Sequence, residues 1–246
     1  MNSPSKPRTA EDYPRWEGYS LAELRNHACI TYREAKGSRP DVLLIEVEGR
    51  QAVLKDFSHS DKGFNHLVGP LLVLRETRSL ARLDGIPGIP RLLRRINRYA
   101  FLIEAVDAIP ASQLRDCGCP QTFFVRLHNL LDSIHARGVA HCDLRSAGNT
   151  LIDKQQQPWL VDFVASIHQG QPWNLPARWI FRQFTAADHG AVLKLKKRLS
   201  PELLTAEENA MLNHRHGWLE GLARNIGKGT RNLTRGLLTG KEKKRK

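Results

Sequence analysis

His141-Cys142-Asp143-Leu144-Arg145-Ser146-Ala147-Gly148-Asn149 brings a carboxylate, a guanidinium and an amide together, and Leu160-Val161-Asp162-Phe163 returns a second carboxylate shortly afterwards. Residues of these types in this order can transfer a phosphoryl group. Asp143 can accept a hydrogen bond from an attacking hydroxyl and take its proton as the bond to phosphorus forms. Arg145 can neutralise the migrating group. Asn149 offers a neutral oxygen and Asp162 an anionic one, a sparse set that suits Mg²⁺ when phosphate and water complete the shell. Individually, Asp143 and Asn149 could equally cap turns, and Asp162 a strand end.

Two upstream residues could complete such a site. Lys55 ends the apolar run Ala52-Val53-Leu54, and strand alternation puts it on the face of Val53, where an ammonium can project from a dry wall toward phosphates. A lysine on a solvated strand face is the plainer alternative. Glu76 falls in the helix that follows and can pair with Lys55; it can also make a surface salt bridge with Arg75 or Lys62, which would carry little energy.

The surrounding elements follow from pattern and punctuation. Residues 30–35, 42–48 and 51–57 read as strands, with a basic, flexible turn at Lys36-Gly37-Ser38-Arg39-Pro40 and a tight one at Gly49-Arg50. Pro70 can start a helix and Gly85 can end it, with Leu72, Glu76 and Leu80 at helical spacing between. A rigid turn over 85–90 precedes a hairpin of 92–96 and 99–105. Phe124, Leu127, Leu131 and Ile134 form the apolar stripe of a helix over 122–136, which Gly138 terminates. Short strands are expected at 149–153 and 158–163, then helices at 186–198, 206–214 and 218–226. Residues 1 to about 20 read as a loose leader whose Tyr13, Trp16 and Tyr19 can pack back onto the body.

Taken together, these residues resemble the protein-kinase-like superfamily, and within it the compact bacterial branch that includes RIO-type kinases and lipopolysaccharide-core (Kdo/heptose) kinases. The resemblance covers about residues 28–200. It implies an α+β, bilobal fold: residues 28–106 as a small antiparallel β-sheet lobe with one helix, and 107–214 as a mainly helical lobe, between a leader (1–27) and a tail (215–246). It implies ATP and Mg²⁺ as cofactors. Lys55 would anchor phosphates with Glu76 as its helix partner, Asp143 would be the catalytic aspartate, and Asn149 and Asp162 the metal ligands. Glu104 and Val106 would hold adenine through backbone groups, and Gly37 and Ser38 are the only substitutes for a glycine-rich phosphate loop. The loop from Asp143 to Asn149 is one residue longer than in most of the superfamily. Val164 stands where a glycine usually follows the Asp-Phe pair, which argues against a large flip of Asp162. No Ala-Pro-Glu element or long activation segment separates Asp162 from the helix near Asp188, and Asp188 could equally brace the catalytic loop or be an ordinary acid near a helix N-terminus.

Charge and cysteines narrow the partners. The formal net charge is +13, which attracts anions such as nucleotides or headgroups, and the excess is concentrated from Lys194 to Lys246. There, Trp218, Leu222, Ile226, Leu233 and Leu237 interleave with basic residues, a pattern that can lie on an anionic membrane surface, or that can be a solvated terminus rich in glycine. The four cysteines (Cys29, Cys117, Cys119 and Cys142) match neither a zinc spacing nor a disulfide scaffold, so a reducing compartment is expected. Neither Cys117-Gly118-Cys119 nor His214-Arg215-His216 supplies four metal ligands. With no signal-peptide pattern and no spanning run, the expectation is a cytoplasmic protein, peripheral at the inner face of the membrane if the tail binds there. No nucleic-acid recognition motif is present. The expected partners are a nucleotide and a hydroxyl-bearing acceptor, an envelope glycolipid sugar slightly ahead of a protein serine or threonine. A nucleotide-binding pseudokinase is the reading of a different class.

Overall fold

Hydrophobic alternation in the first half of the chain builds a five-stranded antiparallel sheet in the order β1-β2-β3-β5-β4. In the computed structural model, which describes residues 16–37, 39–60, 68–114, 118–146 and 148–214, these strands are β1 (Ala28–Arg33), β2 (Asp41–Val47), β3 (Arg50–Asp56), β4 (Leu92–Arg95) and β5 (Ala100–Glu104). Register places Leu54 beside Leu43 and Leu102, and Lys55 beside Val42 and Phe101. The sheet therefore has one face centred on Leu43, Leu54 and Leu102 and one that carries the lysine.

The apolar face is covered from the N-terminal side. Trp16 and Leu24 are buried against Leu43, Ile45, Leu54 and Leu102, and Tyr19 packs there too. Leu24 belongs to a helix the hydrophobic pattern did not predict, α1 (Leu21–Asn26). Its start is a capping box: Glu23 N–H donates to Ser20 Oγ at 3.3 Å, and Ser20 N–H donates to Glu23 Oε2 at 2.7 Å. Arg94 of β4 donates to the carbonyls of Trp16 and Tyr19, pinning the segment down. Tyr13 lies outside the described residues.

The other face packs on α2 (Gly69–Arg82), which buries Val73, Glu76, Thr77 and Leu80. That packing is continuous with the second lobe, since Val73, Leu80, Phe101 and Ile103 share one core with Phe123, Leu127, Leu131, Ile134 and Phe163. The turn after α2 wedges into the seam. A Cβ on Gly88, whose φ is +94°, would lie 2.5 Å from the Pro158 carbonyl oxygen, so only glycine fits.

The second lobe is built on α3 (Gln121–Ala136) and α4 (Leu175–Leu199), with α5 (Ala206–His214) after them. Short strands decorate it: β6 (Ala108–Pro110), β8 (Thr150–Asp153) and β9 (Pro158–Leu160) form one sheet, and β7 (Val139–Ala140) pairs with β10 (Ile167–His168). The fold is thus α+β, with a small antiparallel lobe plus one helix and a mainly helical lobe. Two expected boundaries move furthest, while the first strand lies two residues earlier than expected, at Ala28–Arg33. β9 ends at Leu160 rather than at residue 163, because Asp162 turns to φ +69° and Phe163–Ala165 forms a 3₁₀ turn. α4 begins eleven residues before the expected 186, at Leu175, capped by Asn174 Oδ1 accepting from Ala177 N–H at 3.1 Å. No described helix is long and apolar enough to cross a membrane.

Candidate active site

β3 presents Lys55 to the seam between the lobes and α2 brings Glu76 to meet it, Nζ to Oε1 at 2.6 Å. Both are almost wholly enclosed, with side-chain exposures of 7% and 1%. Asp162 enters from below, its Oδ1 3.9 Å from the same ammonium. Burial disfavours the charge on Lys55, yet Glu76 and Asp162 outweigh it and raise its pKa. Lys55 in turn holds the Asp162 carboxyl below its usual range. Burial pushes Glu76 upward against the pull of Lys55. Among the described residues Glu76 Oε2 makes no hydrogen bond.

The helix carrying Glu76 is tied to the segment after Asp162. Arg75 donates to the Ser166 carbonyl at 2.7 Å, and Ser79 Oγ lies 2.7 Å from Ser166 Oγ and 2.8 Å from His168 Nε2. Asp162 itself takes left-handed backbone angles (φ +69°, ψ +69°), which a short polar side chain tolerates.

The loop from His141 is held from beneath. Asp188 of α4, only 2% exposed, accepts His141 N–H at 2.7 Å, Cys142 N–H at 2.9 Å, and faces His135 Nε2 at 3.1 Å. Its role as a brace, anticipated from sequence, is borne out. That grip holds Cys142 at φ +67°, a conformation a cysteine does not adopt unaided. His141 lies 3.0 Å from the Val161 carbonyl through Nε2 and accepts Asp143 N–H on Nδ1 at 3.3 Å, linking this loop to the strand end before Asp162. Asp188→Ala is expected to strand the His141 and Cys142 N–H groups at about 1–3 kcal/mol each; a lowered Tm is the readout, and unchanged melting would refute the brace.

Asp143 is exposed toward the cleft, and burial of its carboxyl oxygens, with the Asp162 charge, raises its pKa. Asn149 Nδ2 donates to the Asp143 carbonyl at 3.0 Å and to its Oδ2 at 3.1 Å. The extra loop residue is absorbed in a turn closed by Asn149 N–H to the Ser146 carbonyl, 3.0 Å. Arg145 is exposed and contributes a favourable charge to Asp143.

A cavity of about 800 Å³ is lined by Ile30, Tyr32, Leu44, Gly49–Gln51 and Ala105–Ala108. Val106 is therefore at the cavity. Glu104 is committed to the sheet edge: its N–H donates to the Arg91 carbonyl at 2.9 Å and its Oε2 accepts Arg91 N–H at 3.2 Å. Gly37 sits in the β1–β2 turn at φ +61°, between bridge partners Lys36 and Arg39 and outside the cavity lining. Ser38 lies outside the described residues.

The structure thus gathers Lys55, Glu76, Asp162, Asp143 and Asn149, while Ile30, Tyr32 and Leu44, which sequence reasoning passed over, line the separate cavity that Val106 borders. Their signal was strand alternation: β1–β2 register pairs Ile30 with Leu44, and Leu44 pairs with Val53.

This arrangement of lobes defines a protein-kinase-like fold. No protein-family model matches the chain, and no curated protein matches it. Among solved structures it is similar to the Rio2 kinase of Chaetomium thermophilum in its ADP/Mg²⁺-phosphoaspartate complex, with a TM-score of 0.55 and 16% identity over 90% of this chain and 74% of that one. A second Rio2 kinase structure from that organism gives 0.47 and 18%, over 76% and 72%. The likeness to the first makes the fold protein-kinase-like with a RIO-type resemblance.

Proposed function

We propose that this chain is an ATP- and Mg²⁺-dependent kinase that phosphorylates an alcohol. The observation carrying this reading is the enclosed Lys55–Glu76 ion pair with Asp162 beside it, facing a loop in which Asn149 is bonded to Asp143. A binding module has no need of a proton acceptor there. In this reading Lys55 holds the α- and β-phosphates, and Ile30, Tyr32 and Leu44 cover the base while the Val106 backbone meets its edge. Asn149 donates through Nδ2, so its Oδ1 remains for a metal, and with Asp162 it forms a donor set that fits Mg²⁺. Bound there, Mg²⁺ would neutralise phosphate oxygens. The acceptor oxygen attacks the γ-phosphorus, the bond to the β-phosphate oxygen breaks, ADP leaves, and the acceptor proton passes to Asp143.

For the acceptor we favour an envelope glycolipid sugar. Trp173, Leu175, Trp179 and Ile180 are exposed at the start of α4. One turn on, Phe181 and Phe184 pack against Ala140 and Cys142 beside Asp143, so the apolar patch adjoins the catalytic loop. Exposed tryptophans next to basic residues such as Arg182 suit a membrane interface, as does the net charge of +13. Only twelve residues separate Asp162 from α4, which leaves little chain for docking a peptide. Trp173→Ala/Trp179→Ala is expected to weaken sedimentation with phosphatidylglycerol vesicles about tenfold or more; unchanged binding would remove the patch from the account. Incubation with γ-labelled ATP, Mg²⁺ and either core glycolipid or lysate protein tests the acceptor. Label in glycolipid supports the proposal, label in protein supports a RIO-like serine/threonine kinase, and label in neither supports a pseudokinase and overturns it.

A further inference from the structure

Away from the cleft, α3 and α4 bring together a second set of ionisable groups that phosphoryl transfer does not use. His128, Asp132 and His135 are spaced four and three residues apart, so they share one face of α3, and His189 of α4 meets them. His189 Nε2 lies 3.3 Å from Asp132 Oδ1, and its Nδ1 lies 3.2 Å from His128 Nδ1. The His128 and His189 rings stack at 5.4 Å, and His135 meets His189 edge-on at 5.2 Å. One ligand atom from each of Asp132, His135 and His189 lies within 4.8 Å of the other two.

We propose that Asp132, His135 and His189 form a Zn²⁺ site, with water completing a tetrahedral shell. At Zn–N and Zn–O distances near 2.0–2.1 Å, ligand atoms around the ion stand roughly 3.3 Å apart. The Asp132–His189 pair is already at that separation, and small side-chain rotations would draw in His135. Two imidazoles and one carboxylate favour zinc over magnesium, which prefers an all-oxygen shell.

The outer partners are those a histidine zinc ligand needs. Asp188 lies 3.1 Å from His135 Nε2 and so fixes the orientation of that ring. His128 Nδ1 can receive a proton from His189 Nδ1, which leaves His189 Nε2 to the ion. The Asp132 side chain is 69% exposed and His189 32%, so an ion can enter from solvent. Occupancy would have a reach beyond the site. It fixes the ring that faces Asp188, and Asp188 holds the backbone of His141 and Cys142. This assignment is independent of the proposed kinase activity.

The test uses the full chain, stripped of metal and titrated with Co²⁺ and then Zn²⁺. One equivalent of Co²⁺ should give the visible bands of a tetrahedral site, Zn²⁺ should displace it, and millimolar Mg²⁺ should not. Asp132→Asn and His189→Gln, at positions exposed enough to leave folding intact, should each weaken binding at least about tenfold. His214→Gln/His216→Gln should leave it unchanged. Zinc at a hundred times its Kd should raise Tm by about 5–10 °C. Absence of Co²⁺ bands, displacement by Mg²⁺, or binding insensitive to His189→Gln would overturn the site.

Discussion

Asp143→Asn is expected to lower phosphate transfer by about 10²–10⁴-fold while leaving melting and nucleotide affinity close to those of the native chain. The amide keeps the volume of the side chain and can still meet Asn149, but it cannot take a proton from the acceptor. Nothing in the core rests on this residue, which is exposed to the cleft, so the loss should fall on turnover. The pH profile supplies a second signature. Burial and the charge of Asp162 raise the Asp143 pKa, and the residue acts in its ionised form. The acid limb of the native rate should therefore lie at higher pH than an ordinary aspartate would set, and should vanish in the variant. Transfer unaffected by Asp143→Asn would end the catalytic assignment.

Lys55→Met should remove activity and also destabilise the fold. Its Nζ is 2.6 Å from Glu76 Oε1, and Glu76 is 1% exposed. Deleting the ammonium leaves a carboxylate that must stay charged without a partner or take up a proton. Breaking a buried pair in this way costs about 3–5 kcal/mol, a fall in Tm on the order of 10 °C for a chain of this size. A second variant separates the two effects. Lys55→Met/Glu76→Leu removes both charges and keeps an apolar seam, so it should recover most of the stability and none of the transfer. If the single variant melts like the native chain, the pair is not closed in solution. If the double variant regains transfer, Lys55 does not hold phosphate.

The positions of Lys55, Glu76, Asp143, Asn149 and Asp162 were legible because each sits at a fixed offset from an apolar run that becomes β3, α2, β8 or β9. The one-residue excess before Asn149 was equally visible, but its consequence was not: a turn closed on the Ser146 carbonyl absorbs it, and the amide still reaches Asp143. The start of α4 was hidden by its own chemistry. Exposed Trp173, Leu175, Trp179 and Ile180 break the inward apolar stripe by which helices are recognised, and Pro176 reads as a breaker although it stands in the first turn. The Ser20–Glu23 capping box of α1 was present as a local signal. β6, β7 and β10 have two or three residues each, too few to show a period. The left-handed Cys142 and the histidine cluster arise from groups more than forty residues apart, His141–Cys142 against Asp188 and His128–His135 against His189, which no local pattern encodes. The basic segment 215–246, and with it the expected helix at 218–226, lies outside the described residues.

The most direct test of the central claim is a measurement of γ-phosphate transfer from ATP by the full chain with Mg²⁺ and an alcohol acceptor, followed as a gain of roughly 80 Da, one phosphoryl group, on the acceptor. The account predicts a gain that requires Mg²⁺ and falls by about 10²–10⁴-fold in Asp143→Asn. A chain that binds nucleotide yet modifies no acceptor, or one that modifies it equally well without Asp143, would contradict it.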